Sequence, residues 1–296
     1  MKVDQRYVVG IDGGGTSCRA VVATAEGRIV GRSKTGAANV RTDLSKTRAN
    51  IIEAVSLALA DGRIEADLSD LGAVLGLAGA NVGTYASQLE AILPFRRSCV
   101  VTDALIALEG AIGSGDGAIA ILGTGTAYMA RRSGEVRHIG GWGFLIGDQA
   151  SGARIGRDLL EETLLANDGI RLRSALTEAA LAIYRNDPRD VVEFTTNAKP
   201  GDFGGFAPMV FEHAAAGDSV AQDIVARAVA AIEASLGALA LREGDPLCLL
   251  GGLAPLYAPR LSEPYRAMLR QPHTDALGGA AAMAVRLFGQ EPAQHD

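Results

Sequence analysis

An α/β fold of two related lobes is the architecture this sequence predicts, and three observations predict it. Runs of strand character alternate with helical periodicity through the first hundred residues. The first run closes on a glycine turn, Gly10-Ile11-Asp12-Gly13-Gly14-Gly15-Thr16. A second turn, Ile121-Leu122-Gly123-Thr124-Gly125-Thr126, aligns with residues 11–16 without a gap and is also flanked by strands. Such a repeat marks a duplicated architecture. Chance is the alternative, because Gly-Thr-Gly-Thr is short.

The elements follow in order. Residues 7–12 and 17–24 read as strands joined by a turn of almost bare backbone, and residues 28–34 as a third strand. A helix is predicted over 43–60, where Ile51, Ile52, Val55 and Leu59 recur at helical spacing. A buried strand at 73–78, a short helix at 84–93 and a strand at 98–102 complete the first part. The pattern restarts near Asp116 with strands at 118–122 and 127–131. Helices are then expected at 151–167, 171–185, 206–216 and 218–242. A strand at 247–250 runs into Gly251-Gly252, and an alanine-rich helix covers 277–288. Residues 188–205 read as irregular and receive no chemistry, and residues from Gln290 read as a tail. The expected division is an N-terminal lobe, 1–113, completed by the C-terminal helix 277–289, and a second lobe, 114–276.

Composition narrows the function classes. Of 296 residues, 48% are hydrophobic and 21% charged, as in a folded globular protein. Net charge is −6 and no Lys/Arg cluster occurs, which argues against a nucleic-acid partner. Cys18, Cys99 and Cys248 form no Cys-x-x-Cys pair or zinc spacing and suit reduced thiols. Residues 1–6 are charged and lack an apolar signal core, and no long apolar run suggests a membrane span. The expectation is a soluble, cytoplasmic protein. His138, His213, His273 and His295 show no ligand spacing.

Chemistry concentrates at glycine-rich loops. Glycine backbone can approach a phosphate closely and tolerates positive φ, and successive N–H groups form an anion site. Asp12, just before the glycines, could hold the metal that accompanies a nucleotide. A plain hairpin is the alternative. The turn lacks the lysine of a Gly-x-x-x-x-Gly-Lys-Ser/Thr loop, and a strand follows Gly15 where the dinucleotide fingerprint requires a helix. Asp103 ends a buried strand, where ligands sit in open α/β sheets. It could accept a proton, but on residues alone a helix cap over 104–111 is preferred.

The loop from Gly140 to Gly152 holds the only tryptophan, Trp142, with Asp148 and five glycines, and suits a sugar ring. The alternative has Trp142 buried as packing and Asp148 or Ser151 capping the next helix. Asn39 and Asn81 offer amides to sugar hydroxyls, or serve as plain turn residues. Gly251-Gly252 allows close approach of an adenine, or is an ordinary strand-to-helix turn.

Together these segments, with Gly76-Leu77-Ala78-Gly79-Ala80-Asn81, Thr102-Asp103-Ala104 and Gly140-Gly141-Trp142-Gly143, resemble the sugar-kinase, Hsp70 and actin superfamily. More narrowly, the chain resembles the BadF/BadG/BcrA/BcrD ATPase family in its N-acetylglucosamine and glucosamine kinase branch, over residues 7–288. The resemblance implies two ribonuclease-H-like lobes of the actin/hexokinase type with a nucleotide cleft between them. It implies ATP and Mg²⁺, with phosphates held by Gly13, Gly14, Gly15, Thr16, Gly123, Thr124 and Gly125, adenosine by Gly251 and Gly252, and magnesium by Asp12, directly or through water. Asp103 matches the family's catalytic base, reversing the preference for a cap. Asn39, Asn81, Asp103, Thr126, Trp142, Gly147 and Asp148 fall where the family contacts its hexosamine.

The implied partner is a small amino sugar phosphorylated at O6, with no nucleic acid or membrane and with a homodimer left open. The cysteine-rich loop of zinc-containing sugar kinases is missing, so no structural zinc is expected. Cys99 and Cys248 do not offer the paired cysteines of the family's iron–sulfur dehydratase activators. Gln149 and Ala150 stand where related loops often carry Glu and Gly, which leaves the sugar preference open. Two rivals remain: an ATPase that activates a partner enzyme, and a non-catalytic sensor.

Overall fold

The computed structural model describes residues 7–81 and 83–289; the N-terminal segment read for a signal and the tail from Gln290 lie outside them. In chain order the elements are β1 (Tyr7–Gly13), β2 (Cys18–Thr24), β3 (Ile29–Thr35), α1 (Leu44–Asp61), β4 (Gly72–Leu77), α2 (Tyr85–Glu90), β5 (Arg97–Thr102) and α3 (Asp103–Ile112). Then follow β6 (Gly117–Leu122), β7 (Thr126–Arg132), β8 (Glu135–Gly140), α4 (Gly152–Asn167), α5 (Ala175–Ile183), α6 (Pro188–Asn197), α7 (Pro200–Gly204), α8 (Ala207–Ala215) and α9 (Ser219–Ala238). The chain closes with β9 (Leu247–Leu250), α10 (Ala254–Tyr257), α11 (Glu263–Met268) and α12 (Ala276–Phe288).

Two compact units divide these elements. The first runs to Gly115 and resumes at Gln271; the second is Asp116–Arg270. The first holds a five-stranded sheet, β3-β2-β1-β4-β5, and the second a four-stranded sheet, β8-β7-β6-β9. In both, three antiparallel strands come first; β4 and β5 then run parallel to β1 in the first sheet, and β9 alone runs parallel to β6 in the second. The second unit thus repeats the order of the first unit's leading four strands.

Period-two alternation builds the first unit's layers. Val9 and Ile11 face Ile51, Ala54 and Val55 of α1, whereas Val8 and Val74 face Ile106 of α3 and Ala280, Met283 and Ala284 of α12. Helix α12 packs directly on β1: a Cβ at Gly10 would lie 2.5 Å from Ala281 N. Buried Glu109 of α3 is ion-paired with Arg286 of α12. Asp43 caps α1 by accepting from Lys46 N–H at 2.9 Å.

Several expected elements are corrected. The irregular stretch 188–205 contains two helices, α6 and α7. Asp187 caps α6 and Pro188 opens it. Buried Val191 and Phe203 then pack with Phe194 and Phe206, the Phe194 and Phe203 rings lying 5.5 Å apart. Proline and glycine at 199–205 masked that apolar content. The helix expected from Arg171 starts at Ala175, where Ser174 forms a capping box with Thr177. The helix expected to end at Arg242 stops at Ala238, and the short one at 84–93 narrows to Tyr85–Glu90. Edge strand β8 was not anticipated.

Candidate functional site

In the first unit, β1, β4 and β5 run parallel, in a register that aligns Gly13 with Leu77 and Leu77 with Thr102. Their carboxyl ends therefore share one edge, about 10 Å across at two strand spacings. Asp12 and the glycine turn, the 78–81 loop and Asp103 all leave from that edge. The Gly13 carbonyl accepts from Ala78 N–H at 2.9 Å, and the Gly14 carbonyl from Ala38 N–H at 2.9 Å. Asn39, on the segment after Ala38, bridges to Ala78. Asn39 Oδ1 accepts from Arg41 N–H at 3.0 Å, the geometry of a turn residue. Asn81 is exposed two residues beyond Gly79.

The glycines of this turn differ in their physical reasons. A Cβ at Gly13 would lie 2.5 Å from Leu77 Cδ2 and 2.8 Å from Ala38 Cβ, so Gly13 serves packing. At Gly14 a Cβ would meet only Ser17 O, at 4.0 Å, and at Gly15 nothing within 4 Å. None of the three adopts positive φ, so left-handed freedom is not what the turn uses. Gly14 and Gly15 offer backbone facing open space, and exposed Thr16 adds a hydroxyl.

Across the hairpin Asp12 pairs with Arg19. The Arg19 guanidinium is ion-paired with Asp12 and lies 3.3 Å from Asp275 Oδ2. Sequence reasoning missed Arg19; the register of a four-residue turn was the signal for it. A divalent ion carried on phosphates takes only one or two protein carboxylates, so Asp12 fits such an ion, with Arg19 as its competitor. Among the described residues no group of three or more His, Cys, Asp or Glu gathers as for a metal ion.

Asp103 does not cap its helix. Thr102 does, accepting from Leu105 N–H at 3.1 Å, while exposed Asp103 is the first helical residue and its Oδ1 accepts from Ala104 N–H at 2.9 Å.

In the second unit, β6 and β9 are parallel, and their carboxyl ends carry Gly123-Thr124-Gly125 and Gly251-Gly252. Gly123 N–H donates to Gly125 O at 3.0 Å, and the Gly123 carbonyl accepts from Gly152 N–H at 2.8 Å. Gly251 has φ 94°, and its Cβ would lie 2.4 Å from Leu122 O; Gly252 faces open space.

The loop after β8 folds against the same turn. Asp148 is buried, and its Oδ1 accepts from Gly143 N–H at 3.2 Å. Burial pushes its carboxyl above the usual carboxylate range, opposed by the N–H groups of Gly143 and Thr126. A Cβ at Gly125 would stand 2.7 Å from Asp148 Oδ2, so the bare turn is what admits this carboxylate. Buried Thr126 donates its hydroxyl to the Gln149 carbonyl at 2.9 Å. Gly147 is steric, since a Cβ there would lie 2.8 Å from Trp142 Cβ. Ser151 caps α4. Trp142 is 74% exposed, so the packing alternative does not hold. Nearby Leu145 and Ile146 are also exposed. The structure thus joins Gly125, Thr126 and Asp148 within one unit, and Asp12, Gly13, Gly14 and Asn39 within the other.

Among the described residues no helix is long and apolar enough to cross a membrane. Comparison with known proteins places the chain. A glucosamine kinase of Vibrio cholerae is 35% identical over 280 residues, 94% of this chain and 95% of the relative. A Chromobacterium violaceum crystal structure, provisionally named an N-acetylglucosamine kinase, superposes with TM-score 0.84 at 31% identity, covering 95% of this chain and 99% of that one. A Streptomyces griseus ROK family glucokinase, solved with glucose and AMPPNP, shares the fold at TM-score 0.56 and 20% identity, covering 94% and 98%. With its two sheets and these neighbours, the fold is of the two-lobed, ribonuclease-H-like, actin/hexokinase type. The family described as the BadF/BadG/BcrA/BcrD ATPase family matches residues 9–284, and the chain belongs to it.

Proposed function

We propose that this chain is an ATP- and Mg²⁺-dependent kinase that phosphorylates O6 of glucosamine or N-acetylglucosamine. The observation that carries the reading is the split among the hairpin glycines: Gly10 and Gly13 are required by packing, whereas Gly14 and Gly15 face open space at the end of β1. Side-chain packing does not call for glycine at either position, although the Gly14 N–H closes the turn on Ser17 O at 2.9 Å; close approach of a phosphate to bare backbone beside an acid does. The names of the Vibrio and Chromobacterium proteins support an amino sugar as acceptor.

Phosphoryl transfer needs positioning and charge neutralisation more than covalent chemistry. In this reading Gly13, Gly14, Gly15 and Thr16, with Gly123, Thr124 and Gly125, line the phosphates. The N–H groups of Gly14 and Gly123 close their own turns on Ser17 O and Gly125 O, so these two glycines serve close approach, and the donors are the remaining N–H groups and the hydroxyls. Gly251 and Gly252 lie against adenosine. Bound Mg²⁺, held near Asp12 directly or through water, would offset phosphate charge. Asp103 orients the 6-hydroxyl and takes its proton. Asp148, Asn39 and Asn81 contact sugar hydroxyls, Trp142 offers an apolar face, and Thr126 and Gly147 shape the loop that carries Asp148.

A coupled ADP-release assay over a panel of amino sugars tests the proposal. The expected result is sugar-dependent ADP release with the highest kcat/KM for glucosamine or N-acetylglucosamine. Equal ADP release with and without sugar would favour an ATPase acting on a partner. Gly15→Ala tests the phosphate turn. With no atom within 4 Å of the new Cβ, stability should stay within about 0.5 kcal/mol. KM for ATP should rise roughly tenfold, the equivalent of about 1.4 kcal/mol. An unchanged KM for ATP would remove this turn from the phosphate site.

A further inference from the structure

A fully buried tyrosine in the second unit has no part in the chemistry above. Tyr257 ends α10, packs edge-on against Phe211 at 5.2 Å, and donates its hydroxyl to the Ala150 carbonyl at 2.7 Å. The phenol is protonated at neutral pH, and burial pushes its pKa higher still.

The acceptor lies in a strained segment. Asp148 has φ 55° and Ala150 φ 67°, left-handed values at residues that carry a Cβ. Such values are strained at residues with a Cβ and persist only when their surroundings hold them. Three consecutive carbonyls are held here, each from a different direction. The Asp148 carbonyl accepts from Ser151 N–H at 3.0 Å. The Gln149 carbonyl accepts from Thr126 Oγ1 at 2.9 Å. The Ala150 carbonyl accepts from Tyr257. The first donor is local and the second comes from the start of β7. The third comes from α10, which starts two residues after Gly252. Leu253 N–H donates to the Leu122 carbonyl at 3.0 Å, and Tyr257 N–H to the Leu253 carbonyl at 3.1 Å. One helical turn therefore spans from the Gly251-Gly252 turn to the phenol.

We infer that Tyr257 is a positioning residue that couples a nucleotide on Gly251-Gly252 to the sugar-binding geometry of Asp148. The inference rests on the kinase reading of those two segments. A shift of α10 when adenosine settles is transmitted by the phenol to Ala150, and so to the backbone of Asp148. By linkage, sugar on Asp148 changes nucleotide affinity by the same factor.

Tyr257→Phe removes one oxygen and keeps the ring. The expected result is a sugar KM raised roughly 5- to 20-fold, as for a lost hydrogen bond to a buried carbonyl, with kcat changed less than about twofold. The gain in sugar affinity produced by AMPPNP should fall toward one. Adding Ala150→Gly should bring the sugar KM back to within about threefold of wild type, because glycine adopts φ 67° without support; the AMPPNP effect should stay absent. A wild-type KM and AMPPNP effect in Tyr257→Phe would overturn the inference. So would a rise in KM that Ala150→Gly leaves unrescued, the mark of a structural role.

Hydrogen exchange at the Ser151 and Gly152 amides of the ligand-free protein separates the two readings. Tyr257→Phe should speed that exchange whether or not the protein turns over a sugar. Unchanged exchange refutes the hold on the loop. A wild-type protein without sugar-dependent ADP release refutes the kinase reading, and the coupling with it.

Discussion

Asp103→Asn is expected to lower the turnover of sugar phosphorylation by about 10²–10⁴, the range for a lost general base, with sugar affinity near wild type. Asparagine is nearly isosteric and keeps the acceptor that meets Ala104 N–H at 2.9 Å. The helix keeps its cap, because Thr102 supplies it. A turnover defect at an unchanged melting temperature therefore reports on the base and not on α3. Steady-state kinetics at saturating ATP and sugar, with a melting curve alongside, decide the matter. Wild-type turnover would remove Asp103 as the base. A lowered melting temperature with proportionate loss of activity would make its role structural.

Gly279→Ala should lower stability markedly. A Cβ at Gly279 of α12 would lie 2.1 Å from Ile106 O and 2.4 Å from Gly110 N, both backbone atoms of α3. Neither obstacle is a side chain that can rotate away. On the α3 side, a Cβ at Gly110 would lie 2.2 Å from Asp275 O, so the helices meet through bare backbone from both directions. Overpacking costs typically 1–3 kcal/mol, and two rigid backbone contacts place this site near about 3 kcal/mol. At 2–4 °C per kcal/mol for a domain of this size, the first unit's transition should fall by roughly 6–12 °C. Calorimetry resolves it, and an unshifted transition would show that the helices separate without penalty. Ala substitution at Gly15, which meets nothing, is the matched control.

Much of this was legible in the residues. The strand-turn-strand units around Asp12 and Leu122 were visible because apolar runs end abruptly in glycine, and their repetition predicted the shared strand order of the two sheets. Helix α4 was legible from its periodicity and from Ser151. Less legible was anything fixed by tertiary contact. Helices α6 and α7 are short and interrupted by Lys199-Pro200-Gly201, and only the aromatic cluster of Phe194, Phe203 and Phe206 shows why they form. Gly10, Gly13 and Gly15 look alike in sequence, yet two are packing residues and one faces open space. Asp148 suggested a ligand contact, but its left-handed backbone has no signal in the residues, and its fit depends on a bare Gly125 more than twenty positions earlier. Arg19 and Tyr257 carried no motif.

The placement of α12 has a consequence for biosynthesis. The second unit is one continuous stretch, whereas the first is finished only by α12, the last helix among the described residues. During translation the second unit has all of its residues before α12 is made, whereas the Val8 and Val74 face of the first is covered only by Ile106 of α3 until Ala280, Met283 and Ala284 emerge. The usual order, in which the N-terminal domain folds first, is therefore not open to the first unit, whose sheet lacks part of its cover until α12 has emerged.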